Sequence, residues 1–180
     1  MNSDISKIAN IGEDLYLAIA NDDLQTVTRF KDDHGVNARF DFTTDSTLGA
    51  WMRDSTILLA AIVAGSDRVA KFALDNGADL SLGEYNVEAM NTAIDVHPLT
   101  AALNLKRTGI IPLLAEQDID FNITLAEVQG SSYQSRMSLK DAVEEIPGSH
   151  EYLQTLNLGH LLESSHQLST LEKRRSPGSR

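Results

Sequence analysis

Residues 56–82 carry apolar positions at helical spacing in two short runs divided by a glycine. Leu58, Ala60 and Ala61 form the first run, and the two alanines let a neighbouring helix come close. Thr56 stands where its hydroxyl can accept a hydrogen bond from an unpaired backbone N–H, so a helix is predicted to start there. Gly65 supplies the positive φ that a turn between helices needs. Val69, Phe72, Ala73 and Leu74 form the second run, which stops at Gly77. Ala78-Asp79 then reads as a tight turn out of a helix pair.

The pattern recurs. Residues 97–122 align with it without a gap: Leu58 maps to Leu99, Ala61 to Ala102, Leu74 to Ala115 and Asp79 to Asp120, each 41 residues on. Upstream, Leu15-Tyr16-Leu17-Ala18-Ile19 through Gly35-Val36-Asn37 forms another copy. Downstream, Ser138 to Val143 followed by Tyr152 to Leu156 forms a degenerate one. Helices are predicted at 15–20 and 24–30 in the first copy, with residues 1–12 as a frayed lead-in. Asp22-Asp23 fall at the interhelical turn and Asp32-Asp33 beyond the second helix.

Thr56, Leu58, Ala61, Gly65, Lys71-Phe72, Leu74 and Gly77-Ala78-Asp79 resemble the ankyrin repeat, although Ile57 and Leu59 replace its opening Pro and His. The resemblance implies an all-α solenoid with repeats at 13–37, 55–82, 96–122 and 137–162, in one domain over 1–163 followed by a flexible basic tail at 164–180. Leu15, Leu58, Leu99 and Leu139 are 43, 41 and 40 residues apart, against about 33 for an ankyrin repeat. The surplus falls at 38–54, 83–96 and 123–137, which are expected to be three long inter-repeat loops, or fingers.

The fingers hold the candidate recognition residues. The first carries Phe40, Phe42, Trp51 and Arg53, and Trp and Arg are the types most enriched at binding hot spots. The alternative for Trp51 is a loop anchor folded back beside the first helices. The second carries Tyr85 and Met90, with a short extra helix expected within 87–94. The third carries Tyr133 and Arg136, with a turn at Gly130-Ser131-Ser132. In the last copy Pro147-Gly148-Ser149 separates two helices. Leu153, Leu156, Leu158, Leu161 and Leu162 close the stack, and Glu144, Glu145, Glu151 and Glu163 keep its outer face polar.

Composition narrows the partners. The chain has 180 residues, 42% apolar and 23% charged, as in ordinary folded protein. It has no cysteine, so disulfides and thiolate metal sites are excluded. The first ten residues are polar, and the longest apolar run is too short to span a bilayer, so a cytoplasmic protein is expected. Net charge is −11; Lys173, Arg174, Arg175 and Arg180 against Glu172 give the last ten residues +3, which leaves −14 on the rest. Such a body repels nucleic acid and anionic membrane and attracts a basic protein. The bland reading of the same charge is solubility.

No nucleophile elbow, metal-binding histidine pair, phosphate loop or dinucleotide fingerprint is present. His34, His97, His150, His160 and His166 make no ligand spacing, and His97, beside Pro98, is expected at a turn or helix cap. The paired aspartates read as turn and capping residues rather than metal ligands. The expectation is therefore a non-enzymatic protein-binding module without cofactor or metal. Its leading form is an immunity-type protein that inhibits a basic toxin; the alternative is an adaptor or secreted effector that bridges proteins without inhibiting them. The oligomeric state, and whether fingers or helices bind, are left open by the residues.

Overall fold

A computed structural model describes residues 3–45, 50–129, 133–155 and 159. Helix pairs alternate with β-hairpins along the chain. The first pair is α1 (Ser3–Ala20) and α2 (Leu24–His34), followed by β1 (Phe40–Asp45) and β2 (Ala50–Ser55). The second is α3 (Ile57–Ala64) and α4 (Asp67–Asp75), followed by β3 (Gly83–Val87) and β4 (Thr92–Val96). The third is α5 (Pro98–Asn104) and α6 (Ile111–Ala115), followed by β5 (Thr124–Gln129) and β6 (Tyr133–Ser138). α7 (Leu139–Glu145) and α8 (Ser149–Thr155) end the described chain of elements.

The six strands form one antiparallel sheet in strict chain order, β1-β2-β3-β4-β5-β6. This overturns the all-α expectation: the molecule is mixed α/β, and neither the ankyrin-repeat solenoid nor its finger loops describe it. The physical reason lies in the inserts. A plain loop of such length leaves many backbone N–H and C=O groups to be paired one by one, whereas a hairpin pairs them in a ladder and joins the next hairpin. Alternation within each insert supports this. Ala50 and Met52 are buried while Arg53 is exposed, and the buried Phe40 and Phe42 flank the exposed Asp41. The helix expected within 87–94 is also replaced: β3 runs to Val87, a single 3-10 turn occupies Glu88–Met90, and β4 begins at Thr92.

The helix starts follow their caps. Thr56 Oγ1 accepts from the Leu59 N–H at 3.3 Å, His97 Nδ1 from the Leu99 N–H at 3.1 Å, and Ser138 Oγ from the Asp141 N–H at 3.1 Å. These three residues, 41 apart, open α3, α5 and α7. Gly65 ends α3 with φ 81°, and Gly148 turns α7 into α8 with φ 77°. At the first turn Asp23 caps α2 through the Thr26 N–H and hydroxyl, which hold its carboxyl below the usual carboxylate range. Asp32 and Asp33 lie inside α2, not beyond it.

α1 is longer than expected: it starts at Ser3 and turns the supposed lead-in into helix. Its extra length runs against β1. Gly12 permits the approach, because a Cβ there would lie 2.0 Å from the Asp41 carbonyl oxygen. Next to it the Glu13 carboxylate accepts from the Thr43 N–H at 2.7 Å and from the Thr43 hydroxyl at 2.6 Å.

The core lies on both sides of the first helix of each pair, against the sheet and against the second helix, which buries Val27 of α2, Val69 and Ala73 of α4, Leu114 of α6 and Leu153 of α8. α3 is buried from Ile57 to Ile62, and Leu59 fills the space a Gly83 side chain would take, 2.5 Å from the ideal Cβ position. Successive turns are also tied together. The Ser66 hydroxyl donates to the Asp22 carboxylate, and Arg107 donates to the Ile62 carbonyl at 2.9 Å and the Val63 carbonyl at 2.7 Å, closing the end of α3. Leu156, Leu158, Leu161, Leu162, Glu163, His160, His166 and the tail at 164–180 lie outside the described residues, as does the turn at 130–132.

Candidate functional site

The strand register sorts the candidate residues onto the two faces of the sheet. On the face turned to the helices, Phe42 pairs with Met52, Met52 with Tyr85, and Tyr85 with Ile94. Phe42 is 1% exposed and stacks on Tyr16 with ring centroids 4.1 Å apart, and burial pushes the Tyr16 phenol above its usual pKa. Phe40 is also buried and meets Phe30 edge-on at 5.8 Å. Tyr85 is half-buried against the same core. Phe40 and Phe42 are therefore held in the core, and Tyr85 is partly covered by it.

On the outer face one row of Cα partners crosses the whole sheet: Thr43, Trp51, Asn86, Ala93, Val128 and Gln134. Trp51 is half-buried and Val128 is exposed. The Arg53 guanidinium lies over the Trp51 ring, 5.4 Å from its centroid, a cation–π contact that holds both side chains along the sheet. The alternative of Trp51 as a plug beside the first helices does not hold, because Ala50 and Met52 on either side of it take that inward place.

In the neighbouring row Arg53 pairs with Glu84 and Glu84 with Asp95, while Arg136 pairs with Ala126. The Asn86 amide donates to the Glu84 carboxylate at 2.7 Å, and Asp95 accepts from the Ala126 N–H at 2.9 Å, bridging β4 and β5. Trp51, Asn86, Glu88, Asn91, Ala93 and Val128 line a shallow cleft of about 170 Å³. Met90, at the turn beside it, is 62% exposed.

The outer face thus gathers Trp51, Arg53 and Arg136, with Met90 at its rim, and separates them from Phe40, Phe42 and Tyr85. Tyr133 sits at the start of β6 as the Cα partner of Gln129. Asn86, Ala93 and Val128, which complete the surface around Trp51, were not singled out from the sequence. For Asn86 the signal was the period-two alternation in GEYNV, which the loop assignment concealed; TAIDV and TLAEVQ do not alternate, and Ala93 and Val128 had no comparable signal.

Trp51 offers an aromatic plane, Val128 and Ala93 a small apolar floor, and Glu84, Asp95 and Glu88 a carboxylate fringe. Among the described residues no group of three His, Asp or Glu side chains is placed to hold a metal ion. His97 is removed from this face: it is 1% exposed, and burial lowers its pKa to about 4. Among the described residues no helix is long and apolar enough to cross a membrane.

Comparison with known proteins yields no match to any family model, to any curated protein or to any solved structure. The ankyrin-repeat assignment therefore has neither a matching family model nor an all-α architecture behind it.

Proposed function

We propose that this chain is a non-catalytic binding module that recognises and blocks a basic protein through the outer face of its sheet. One observation carries the reading: a sheet face that the described helices leave uncovered bears a tryptophan clamped by an arginine, small apolar neighbours and a carboxylate fringe. Aromatic and arginine anchors surrounded by polar groups are the usual make-up of an interface centre. The net charge of −11 supports a cationic partner, since opposite charge accelerates encounter and disfavours acidic competitors. The most specific form of the proposal is an immunity-type protein that neutralises a basic toxin by covering a functional surface. We place its action in the cytoplasm.

Capture from source-organism lysate with the immobilised chain tests this, run beside a Trp51→Ala/Val128→Ser variant whose folding is verified by circular dichroism. The expected result is one basic protein retained by the natural chain and lost by the variant. Cells producing the captured protein should then survive when the natural chain is co-produced. Equal retention by both chains refutes the outer-face reading, and capture without protection points to an adaptor instead.

A further inference from the structure

The two free edges of the sheet are treated differently. An unpaired edge strand is a template for another strand, and proteins blunt it with bulges, charges or covering elements. β1 is blunted three times over. Its pairing with β2 shifts register twice, α1 lies against it at Gly12, and Glu13 takes the Thr43 N–H. Among the described residues β6 shows no register shift, and its one charged residue is Arg136, on the outer face. Its register with β5 is unbroken from Thr124–Ser138 to Gln129–Tyr133. Among the described residues no strand pairs on its far side.

Beside that edge, on the helix side, a groove of about 190 Å³ opens between β4, β5, β6 and the helices α5 and α7. Ile94, Val96, Leu125, Met137 and Ala142 give it apolar walls, and no lysine or arginine lines it. Glu127 stands in the groove with Ser135, its register partner, between it and the free edge. The Glu127 carboxylate has no hydrogen-bond or ion-pair partner among the described residues. An apolar trough ending in a free carboxylate fits the aliphatic stem and cationic head of a long basic side chain.

We propose that β6 takes up an extended strand of the basic partner, and that a lysine or arginine of this strand lies in the groove towards Glu127. The inference rests on the reading of the chain as a binder of a basic protein. Charge decides between a partner strand and a second copy: a second copy brings another −11, a basic strand brings compensation. Strand addition supplies affinity through the main chain, and the groove supplies selectivity at alternate side chains.

The test uses the full chain and an acetylated, amidated peptide alternating lysine and threonine, with amide hydrogen exchange read residue by residue. With the peptide at about ten times its Kd, the outward-facing amides of β6 should exchange about tenfold more slowly. Glu127→Gln should weaken the peptide about two- to fivefold. The same peptide with alternate amides N-methylated should give no protection. Peptide binding that leaves β6 unprotected, or equal protection by the N-methylated peptide, overturns the proposal. So does β6 protection in the peptide-free chain, which assigns the edge to a second copy if it grows with concentration and to the chain's own remaining residues if it does not. Trp51→Ala separates the two readings. If the partner is kept by Trp51→Ala while the peptide protects β6, the outer-face site fails and strand addition stands. If capture needs Trp51 and β6 is never protected, the converse holds.

Discussion

Replacing His97 by asparagine should remove an acid-sensitive component of stability. His97 opens α5 as an uncharged base: its Nδ1 accepts from the Leu99 N–H, and the ring is 1% exposed. Desolvation lowers its pKa from 6.5 to about 4. The unfolded chain therefore takes up a proton near pH 6.5 while the folded chain refuses it until about pH 4. Stability from this residue is complete above pH 6.5, falls as pH drops through the interval, and is gone below about pH 4. The gap between 6.5 and about 4 corresponds to about 3 kcal/mol, at about 1.4 kcal/mol per pH unit.

Asparagine keeps a capping acceptor without a titrating ring. Urea unfolding of both chains at steps between pH 7.5 and pH 4 gives the comparison, and subtraction cancels carboxylates common to both. At neutral pH the variant should be less stable by about 1–2 kcal/mol, from the volume lost at a packed site. Towards pH 4 the difference should close and then reverse, moving by about 3 kcal/mol in all. A difference that stays constant across the range refutes the reasoning.

Three further perturbations follow from the packing. Gly12→Ala should push α1 off β1 and destabilise by about 1–3 kcal/mol, read from urea midpoints, because the new methyl group meets the Asp41 backbone. Arg107→Ala should lower stability by about 2 kcal/mol through the freed Ile62 and Val63 carbonyls; Arg107→Lys should recover only part of it, since one ammonium does not reproduce the planar fork. Phe42→Ala should lower stability by about 3–5 kcal/mol in the same assay, whereas Trp51→Ala should change it far less and act on partner binding.

The helix pairs were legible because punctuation residues mark them. Thr56, Gly65 and Gly77 carry local conformational demands that any surrounding fold must meet, and they stand at the ends of α3 and α4. The strands were hidden because each is only 5 or 6 residues long and the turns between them lack a strong hairpin dipeptide. Phe40 and Phe42, two residues apart, carried the strand period and were read as loop contacts instead. The start of α1 was missed although Ile5, Ile8 and Leu15 stand at helical spacing, because Gly12 weakens a helix and its use becomes visible only when β1 lies beside it. The outer face around Trp51 was half legible, by residue type but not by neighbourhood, since Asn86, Ala93 and Val128 reach it only through register.

The strict chain order of the sheet bears on how the protein is made. Every ladder joins strands that are consecutive in sequence: three close hairpins, and β2–β3 and β4–β5 each wait only for the one helix pair between them. Closing a short loop costs little entropy, and architectures dominated by nearby pairings assemble fast. The first helix pair and hairpin can form while the rest is still being synthesised, and each later unit adds to an existing edge without threading. Pulled from its ends, such a chain should give way unit by unit from one side rather than in a single break.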